Sequence, residues 1–518
     1  MIELPAWRLS IPTTKKISWR FRPYRRWGKL VTGILHPVAG SIPCRLMPVV
    51  GAVAPTMLFF SSPAFASSGG HGLEGAALGV IWAVPFVGIL LSIALLPLLA
   101  PHFWHHHFGK VAAAWALAFV LPFTLLNGEA VVEPLAETVL LDYLPFVILL
   151  TALFTIAGGI LVTGNLHGSP KTNLALLTIG TLLASVVGTT GASMVMIRPL
   201  LRANDGRRHN VHVVVFFIFL VSNIGGSLTP LGDPPLFLGY LRGVGFFWTT
   251  LHMLKETGFA AVVLLALFYL IDHKLYRNDA DFRGKFDPTP DTGRVGVEGR
   301  LNIALLMVVV GGVLLSGSWK PGIGFHLFGV EVQLQNLARD LILIAAALAS
   351  LSLTPKSVRH RNGFEWGPIL EVAKLFAGIF VTIIPVLAML RAAHEGAFAP
   401  LVGLVTAADG TPVNAMYFWA TGLLSSFLDN APTYLVFFNL AGGDPQHLMT
   451  EMATTLVAIS AGAVFMGANS YIGNAPNFMV KSIAEGAGVK MPSFFGYMAW
   501  SAGILVPLFL VMTVLFFA

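Results

Sequence analysis

A dozen apolar stretches, many about long enough to cross a bilayer, constrain this chain more than any other feature. They run over 76–99, 111–126, 143–166, 172–201, 211–229, 257–273, 301–317, 339–354, 367–392, 413–441, 451–470 and 493–517. A helical span takes about 20 apolar residues, so spans and loops use up most of the 518 residues and leave no room for a large soluble domain. Only 11% of the residues are charged, against about 25% in ordinary soluble proteins. The solvent for this chain is therefore mostly lipid, and the expected fold class is an all-α polytopic membrane protein. A soluble catalytic or nucleotide-binding module is excluded.

The formal charge of +7 does not imply a nucleic-acid partner. Residues 1–45 carry nine Lys and Arg against Glu3, so everything after them is close to neutral. That basic stretch is followed by an apolar run from Leu46 to Phe60 and by Ala64-Phe65-Ala66, the small-residue pattern of a secretory cleavage site. Residues 1–66 thus read as a basic leader with a signal-like segment, the alternative being an uncleaved first span. Cleavage would leave the mature N-terminus outside the cytoplasm. Cys44, the single cysteine, lies in this leader, so neither a disulfide framework nor a cysteine metal cluster is available.

Basic residues in the loops set orientation, because short cytoplasmic loops are enriched in Lys and Arg. Arg198, Arg202, Arg207 and Arg208 place one loop in the cytoplasm. Lys274, Arg277, Lys285, Arg294 and Arg300 do the same for the longest polar segment, 274–300. Lys356, Arg359 and Arg361 mark a third such loop, Lys481 and Lys490 a fourth. Treating 172–201 and 413–441 as single spans spoils this alternation, whereas treating each as a re-entrant hairpin restores it and puts Ala518 outside. The chain then divides into a first transport repeat at 67–273, a cytoplasmic linker at 274–300 and a second, inverted repeat at 301–518. Non-helical backbone at membrane depth is tolerated only inside protein or beside a wet cavity, so the hairpin tips point to a transport site.

A short internal repeat supports that division. Gly232-Asp233-Pro234-Pro235-Leu236-Phe237 matches Gly473-Asn474-Ala475-Pro476-Asn477-Phe478 at three positions, with Asp exchanged for Asn at a fourth. Polar tips lie upstream of each, at Thr189-Thr190-Gly191-Ala192-Ser193 and Asp429-Asn430-Ala431-Pro432-Thr433. The offset between halves is 240 to 241 residues while the inferred orientation is reversed. Inverted repeats with broken helices are the pattern of secondary transporters, whose site lies where the breaks meet.

Four clusters should therefore converge: the two tips, and the breaks at 223–233 and 469–477. Thr189, Thr190, Ser193, Asn223, Ser227, Thr229, Asp233, Asp429, Asn430, Thr433, Asn469, Ser470 and Asn474 are the candidate ion or substrate ligands. Among them Asn223, Asp233, Asp429, Asn430 and Asn469 suit sodium, since a dehydrated monovalent cation needs several oxygens. The same residue types also suit an anionic cargo, which would use hydroxyls, amides and half-helix N-termini. Asp233 and Asp429 are the carboxylates at the breaks, and an ionisable group inside the membrane is a functional candidate by default. A carboxyl that holds either a proton or a sodium ion couples the two fluxes in opposite directions. Both residues also read as N-caps of the half-helix that resumes after each break.

Glu371 is a third proton-coupling candidate, although Lys374, three residues on, makes an ion pair or a snorkelling position the simpler reading. His102, His105, His106 and His107 read as an interfacial loop, and Glu129, Glu133 and Glu137 as a solvated helix face. The chain has no phosphate-loop signature and no His-Glu-x-x-His, so an ATP-hydrolysing or zinc-protease activity through those motifs is absent. No cofactor is expected beyond the transported sodium and protons.

The segments Ser222-Asn223-Ile224-Gly225-Gly226 through Gly232-Asp233-Pro234-Pro235, and Phe427-Leu428-Asp429-Asn430-Ala431-Pro432-Thr433, resemble the ion transporter superfamily. More narrowly they are similar to sodium:proton antiporters of the NhaD type, in sequences also labelled citrate transporters. The likeness spans 76–518. It implies an inverted-repeat fold with two hairpins, a homodimer, and sodium or lithium exchange at Asn223, Asp233, Asp429, Asn430, Asn469 and Ser470. The first tip departs from that pattern, with Thr189-Thr190-Gly191 where an acidic pair is expected. The dicarboxylate branch carries Ser-Asn-Thr at both tips, which this chain lacks. The expected function is sodium:proton exchange across a bacterial inner membrane; the alternative is sodium- or proton-coupled symport of citrate or another organic anion.

Overall fold

The computed structural model describes residues 73–164, 166–279, 295–407 and 409–518. The leader at 1–66 and most of the 274–300 linker fall outside those residues. Helices of eight residues or more are numbered here: α1 Val84–Leu99, α2 Pro101–Asn127, α3 Leu144–Ala157, α4 Pro170–Val187, α5 Thr189–Ala203, α6 Val211–Leu220, α7 Pro234–Leu241, α8 Trp248–Asn278, α9 Leu301–Ser318, α10 Leu334–Leu353, α11 Gly367–Thr382, α12 Ile384–Arg391, α13 Asn414–Phe427, α14 Asn430–Leu440, α15 Ala453–Met466, α16 Ala475–Gly486 and α17 Phe494–Met512. Eight helical segments of the described residues are long and apolar enough to cross a membrane, or nine with the pair α11 and α12, which bend by 43°. The protein is an all-α polytopic membrane protein.

Both expected hairpins are present. Helices α4 and α5 pack against each other across Gly188. Gly188 has φ +81°, a conformation that costs glycine little. Helices α13 and α14 turn at Leu428-Asp429, where Asp429 caps α14 by accepting from the Ala431 amide at 3.1 Å. The arms α5, α13 and α14 have 15, 14 and 11 residues. At 1.5 Å per residue each is shorter than a bilayer core of about 30 Å.

The breaks separate α6 from α7 and α15 from α16. In each, one glycine closes on another. A methyl group on Gly232 would lie 2.1 Å from the Gly226 carbonyl oxygen, and one on Gly473 would lie 2.6 Å from that of Gly467. The bonds that hold the breaks repeat as well. Thr229 donates to the Ser185 carbonyl and Ser470 to that of Ser426, each at 2.5 Å. Ser185 donates to the Gly225 carbonyl and Ser426 to that of Met466. Every one of these pairs differs by 241 in residue number, so the repeat runs in strict register.

The two halves run in opposite directions. Thr155 and Gly158, at the far end of α3, accept from Arg359 and Asn362. Strand β1 (Leu161–Thr163) pairs antiparallel with β2 (Gly296–Glu298), and Arg202 donates to Val162 of β1 at 2.7 Å. Arg198, Arg202, Arg207, Arg208 and Lys490 border one cleft. All four basic loops therefore meet at one end of the molecule, where α5 and α16 pack together and terminate. At the other end of α3, Asp142 pairs with Arg242 just beyond α7, and Arg391 donates to Asn439 near the end of α14. Helices α7 and α14 pack together at that end. The first hairpin thus opens towards the basic loops, the second away from them.

Several expectations need correction. The stretch 143–166 is not one helix: α3 stops at Ala157, and after Gly158-Gly159 the β-branched pair Val162-Thr163 lies in strand β1. Helix α8 begins at Trp248, not near 257, and continues to Asn278 inside the expected linker. The four histidines occupy the first two turns of α2 after Pro101 instead of a loop. Proline at a first helical position starts a helix well, since its missing amide is not needed there. No group of three or more His, Cys, Asp or Glu suited to a metal ion occurs among the described residues.

Candidate cation site

Asp233 joins both hairpin tips and both breaks. Its side chain makes no cap bond to α7, so a role as N-cap does not explain it. Instead one carboxylate oxygen accepts from the Thr189 hydroxyl at 2.8 Å and from the Asn474 amide at 3.2 Å, and the other accepts from the Asn430 amide. Thr189 and Asn430 begin α5 and α14, and Asn474 is the counterpart of Asp233 in the second half. The four clusters read from the sequence therefore meet at one carboxylate, which is 1% exposed.

All three partners of Asp233 are neutral, which sets it apart from Asp272, Asp142 and Asp279. Asp272 meets Arg207 at 2.5 Å and His212 at 2.8 Å, Asp142 meets Arg242 at 2.5 Å, and Asp279 meets His209 at 2.6 Å. A charge taken out of water is costly unless it is paired. Asp272 and Asp142 are neutralised by arginines, and Asp279 has Arg207 at 4.0 Å besides His209, whereas hydroxyl and amide donors stabilise Asp233 without neutralising it.

The surrounding shell is made of amides. Asn474 also donates to the Asn223 side-chain oxygen and the Ser222 carbonyl, and Asn223 donates to Asn477 at 2.7 Å and to the Ile218 carbonyl at 2.8 Å. Asn477 donates to the Gly467 and Ser470 carbonyls, both at 2.9 Å. Ser193 reaches the same shell through the Ser222 hydroxyl, 2.9 Å away. Two buried amide oxygens, Oδ1 of Asn430 and Oδ1 of Asn469, have no hydrogen-bond partner. Unmet buried acceptors carry a penalty of roughly 1–3 kcal/mol each, and Asn430 shows one beside Asp233.

The remaining candidates divide. Asp429 is half-buried, caps α14 and lies close enough to Asp233 for the two charges to interact. Thr433 donates to the Asp429 carbonyl at 3.0 Å and so belongs to that cap. Thr190 is half-buried. Asn469 donates to the Ser426 hydroxyl at 2.9 Å. Ser227 is directed to Thr257 of α8 at 2.6 Å, and Thr229 and Ser470 brace the hairpins through backbone carbonyls. Glu371 accepts from Trp104, and Lys374 lies over the Phe108 ring, so the two point to α2 and do not form the expected pair. Ser185 and Ser426, which hold the breaks, and Asn477 were not singled out as site residues. The 241-residue offset applied to the hairpins would have found the two serines.

Two oppositely directed hairpins and two broken helices surround one buried acid, an arrangement that suits a membrane transporter. The chain matches, over residues 75–517, the model of a family described as "Putative citrate transport", and it belongs to that family. It is also similar to an uncharacterized transporter of Mycobacterium bovis and to one of Mycobacterium tuberculosis. Each is 25% identical over 416 residues, covering 77% of this chain and 85% of the relative.

Proposed function

We propose that the protein exchanges sodium for protons, with Asp233 holding each in turn and Asp429 as a second acid beside it. The observation that carries this reading is a fully buried carboxylate bound only by neutral donors, next to an amide oxygen with no partner. Such a site is completed by a positive charge. A cation would take the Asp233 carboxylate and Oδ1 of Asn430, with Asn223, which shares the Asn474 amide, and Asp429 as sources of further oxygens. A proton on Asp233 would turn an acceptor into a donor, and a half-turn of the Asn430 amide would present Oδ1 to receive it. Proton and cation then compete for the same oxygens, which couples their movements in opposite directions.

Exposure of the site to either side would alternate as the hairpins move against the scaffold, a motion for which inverted repeats supply two related arrangements. The meeting of the four basic loops supports placing that end in the cytoplasm of a bacterium. Helix α17 starts near Lys490 and its extension reaches Phe517, which stacks on Phe418 near the mouth of the second hairpin. That course supports a C-terminus on the outer side of the inner membrane.

A second reading, uptake of citrate or another organic anion coupled to the cation, is favoured by the family description. Proteoliposomes with an imposed pH gradient separate the two. Sodium-triggered proton movement without organic acid supports exchange. Its absence, together with sodium-dependent accumulation of labelled citrate, would replace exchange by symport.

A further inference from the structure

A cleft of about 900 Å³ opens between the far ends of α5 and α16. That is a volume typical of small-ligand sites, about 300–1,000 Å³. Its wall carries Arg198, Arg202, Arg207, Arg208 and Lys490 against one acid, Asp205. These bases are not equally occupied. Arg207 is committed to Asp272 at 2.5 Å and to the Gly168 carbonyl. Arg202 donates to Val162 and feels the charge of Asp205. Arg198 feels Glu365, but its Nη1 is buried and bonds no acceptor. Arg208 and Lys490 are exposed.

We infer that this cleft binds a multivalent anion carrying carboxylate or phosphate groups. Five basic side chains line the wall against one acid, and a guanidinium such as that of the exposed Arg208 presents paired N–H groups that match two oxygens of either anion. Arg208 and Lys490, from opposite sides of the cleft, supply further charge that no single monovalent ion uses fully. The position also matters. Helix α5 begins at Thr189 and α16 follows Asn474, both of which bond Asp233, while the opposite ends of the same helices flank the cleft. An anion bridging Arg208 and Lys490 ties together the ends of two helices that hold the proposed cation site. The inference does not depend on sodium:proton exchange, because its readout is binding.

The test uses the full chain in neutral detergent, titrated calorimetrically with citrate and with inorganic phosphate at constant ionic strength, with chloride as the control. Saturable binding is expected. The Arg208→Gln/Lys490→Gln variant should weaken it at least about tenfold, the loss of one to two charge-assisted bonds. Asp233→Asn should bind the anions as the wild type does. Retention of phosphatidylglycerol in native mass spectrometry, sensitive to the same double variant, would support the site with a lipid headgroup as the source if free anions fail to bind. Equal heats with chloride, undiminished binding by the double variant, loss of binding in Asp233→Asn alone, or failure of both free anions and the lipid would overturn the inference.

Discussion

Replacing Asp233 by asparagine removes the fully buried charge at the meeting point of both hairpins and leaves the backbone undisturbed. The same position in the second half is Asn474, whose φ and ψ of −152° and 138° nearly match the −141° and 142° of Asp233. No cap bond is lost, because Asp233 makes none. Thr189, Asn430 and Asn474 donate to the carboxylate. An asparagine oxygen still accepts two of these, and one donor is left facing an amide nitrogen, a penalty of about 1–3 kcal/mol. Removal of a costly buried charge offsets part of it. The variant should therefore fold and purify as the parent does. Its cation site loses a unit charge, worth about 4 kcal/mol at a separation of about 4 Å and an effective dielectric constant of about 20, or a roughly thousandfold weaker affinity. In proteoliposomes, sodium-triggered proton flux should fall to background while size-exclusion behaviour and thermal unfolding stay near the parent's. A well-folded variant with near-parental flux would refute the reasoning.

Asp429→Asn should keep the cap on α14, since asparagine caps about as well as aspartate. It should still lower exchange at least about tenfold by removing the second charge, and normal turnover with normal stability would remove Asp429 from the mechanism. Gly232→Ala places a methyl group 2.1 Å from a backbone oxygen and should destabilise the protein by about 3 kcal/mol or more in thermal unfolding. Gly258→Ala, which meets nothing within 4 Å, should be neutral or stabilising by up to about 1 kcal/mol. Ser185→Ala and Ser426→Ala remove corresponding braces of the two breaks. Each should cost roughly 1–3 kcal/mol, and a loss confined to one of them would contradict the equivalence of the halves.

The site was legible in outline because two physical signals survive in one dimension. Charge alternation demanded hairpins at 172–201 and 413–441, and the Gly-Asp-Pro-Pro and Gly-Asn-Ala-Pro segments marked breaks that a continuous apolar helix has no reason to contain. An offset of 240 to 241 residues leaves the register at the first tip open by one residue. Thr189, not Thr190, corresponds to Asn430, because Gly188 turns the first hairpin by a left-handed conformation where Asp429 turns the second by capping. Two residues that do one job by different physics leave no shared letter.

Bases that neutralise Asp272, Asp142 and Asp279 lie 60 to 100 positions away in sequence. No local pattern distinguished these acids from Asp233, whose partners are a hydroxyl and two amides. Ser227 and Thr229 carry side chains suited to a cation, but proximity to α8 and to the Ser185 carbonyl uses them as braces. The pairing of β1 with β2 joins segments more than 130 residues apart, beyond what period or propensity registers.

The central claim is that one carboxylate exchanges a proton for a cation. It is tested most directly by titrating the detergent-solubilised protein with sodium in buffers of different ionisation enthalpy and reading the number of protons released per ion bound. Release close to one proton per sodium below the pH at which the site is fully ionised, lost in Asp233→Asn, is the predicted result. Sodium binding with no proton release at any pH, or release that persists undiminished in Asp233→Asn, would contradict it.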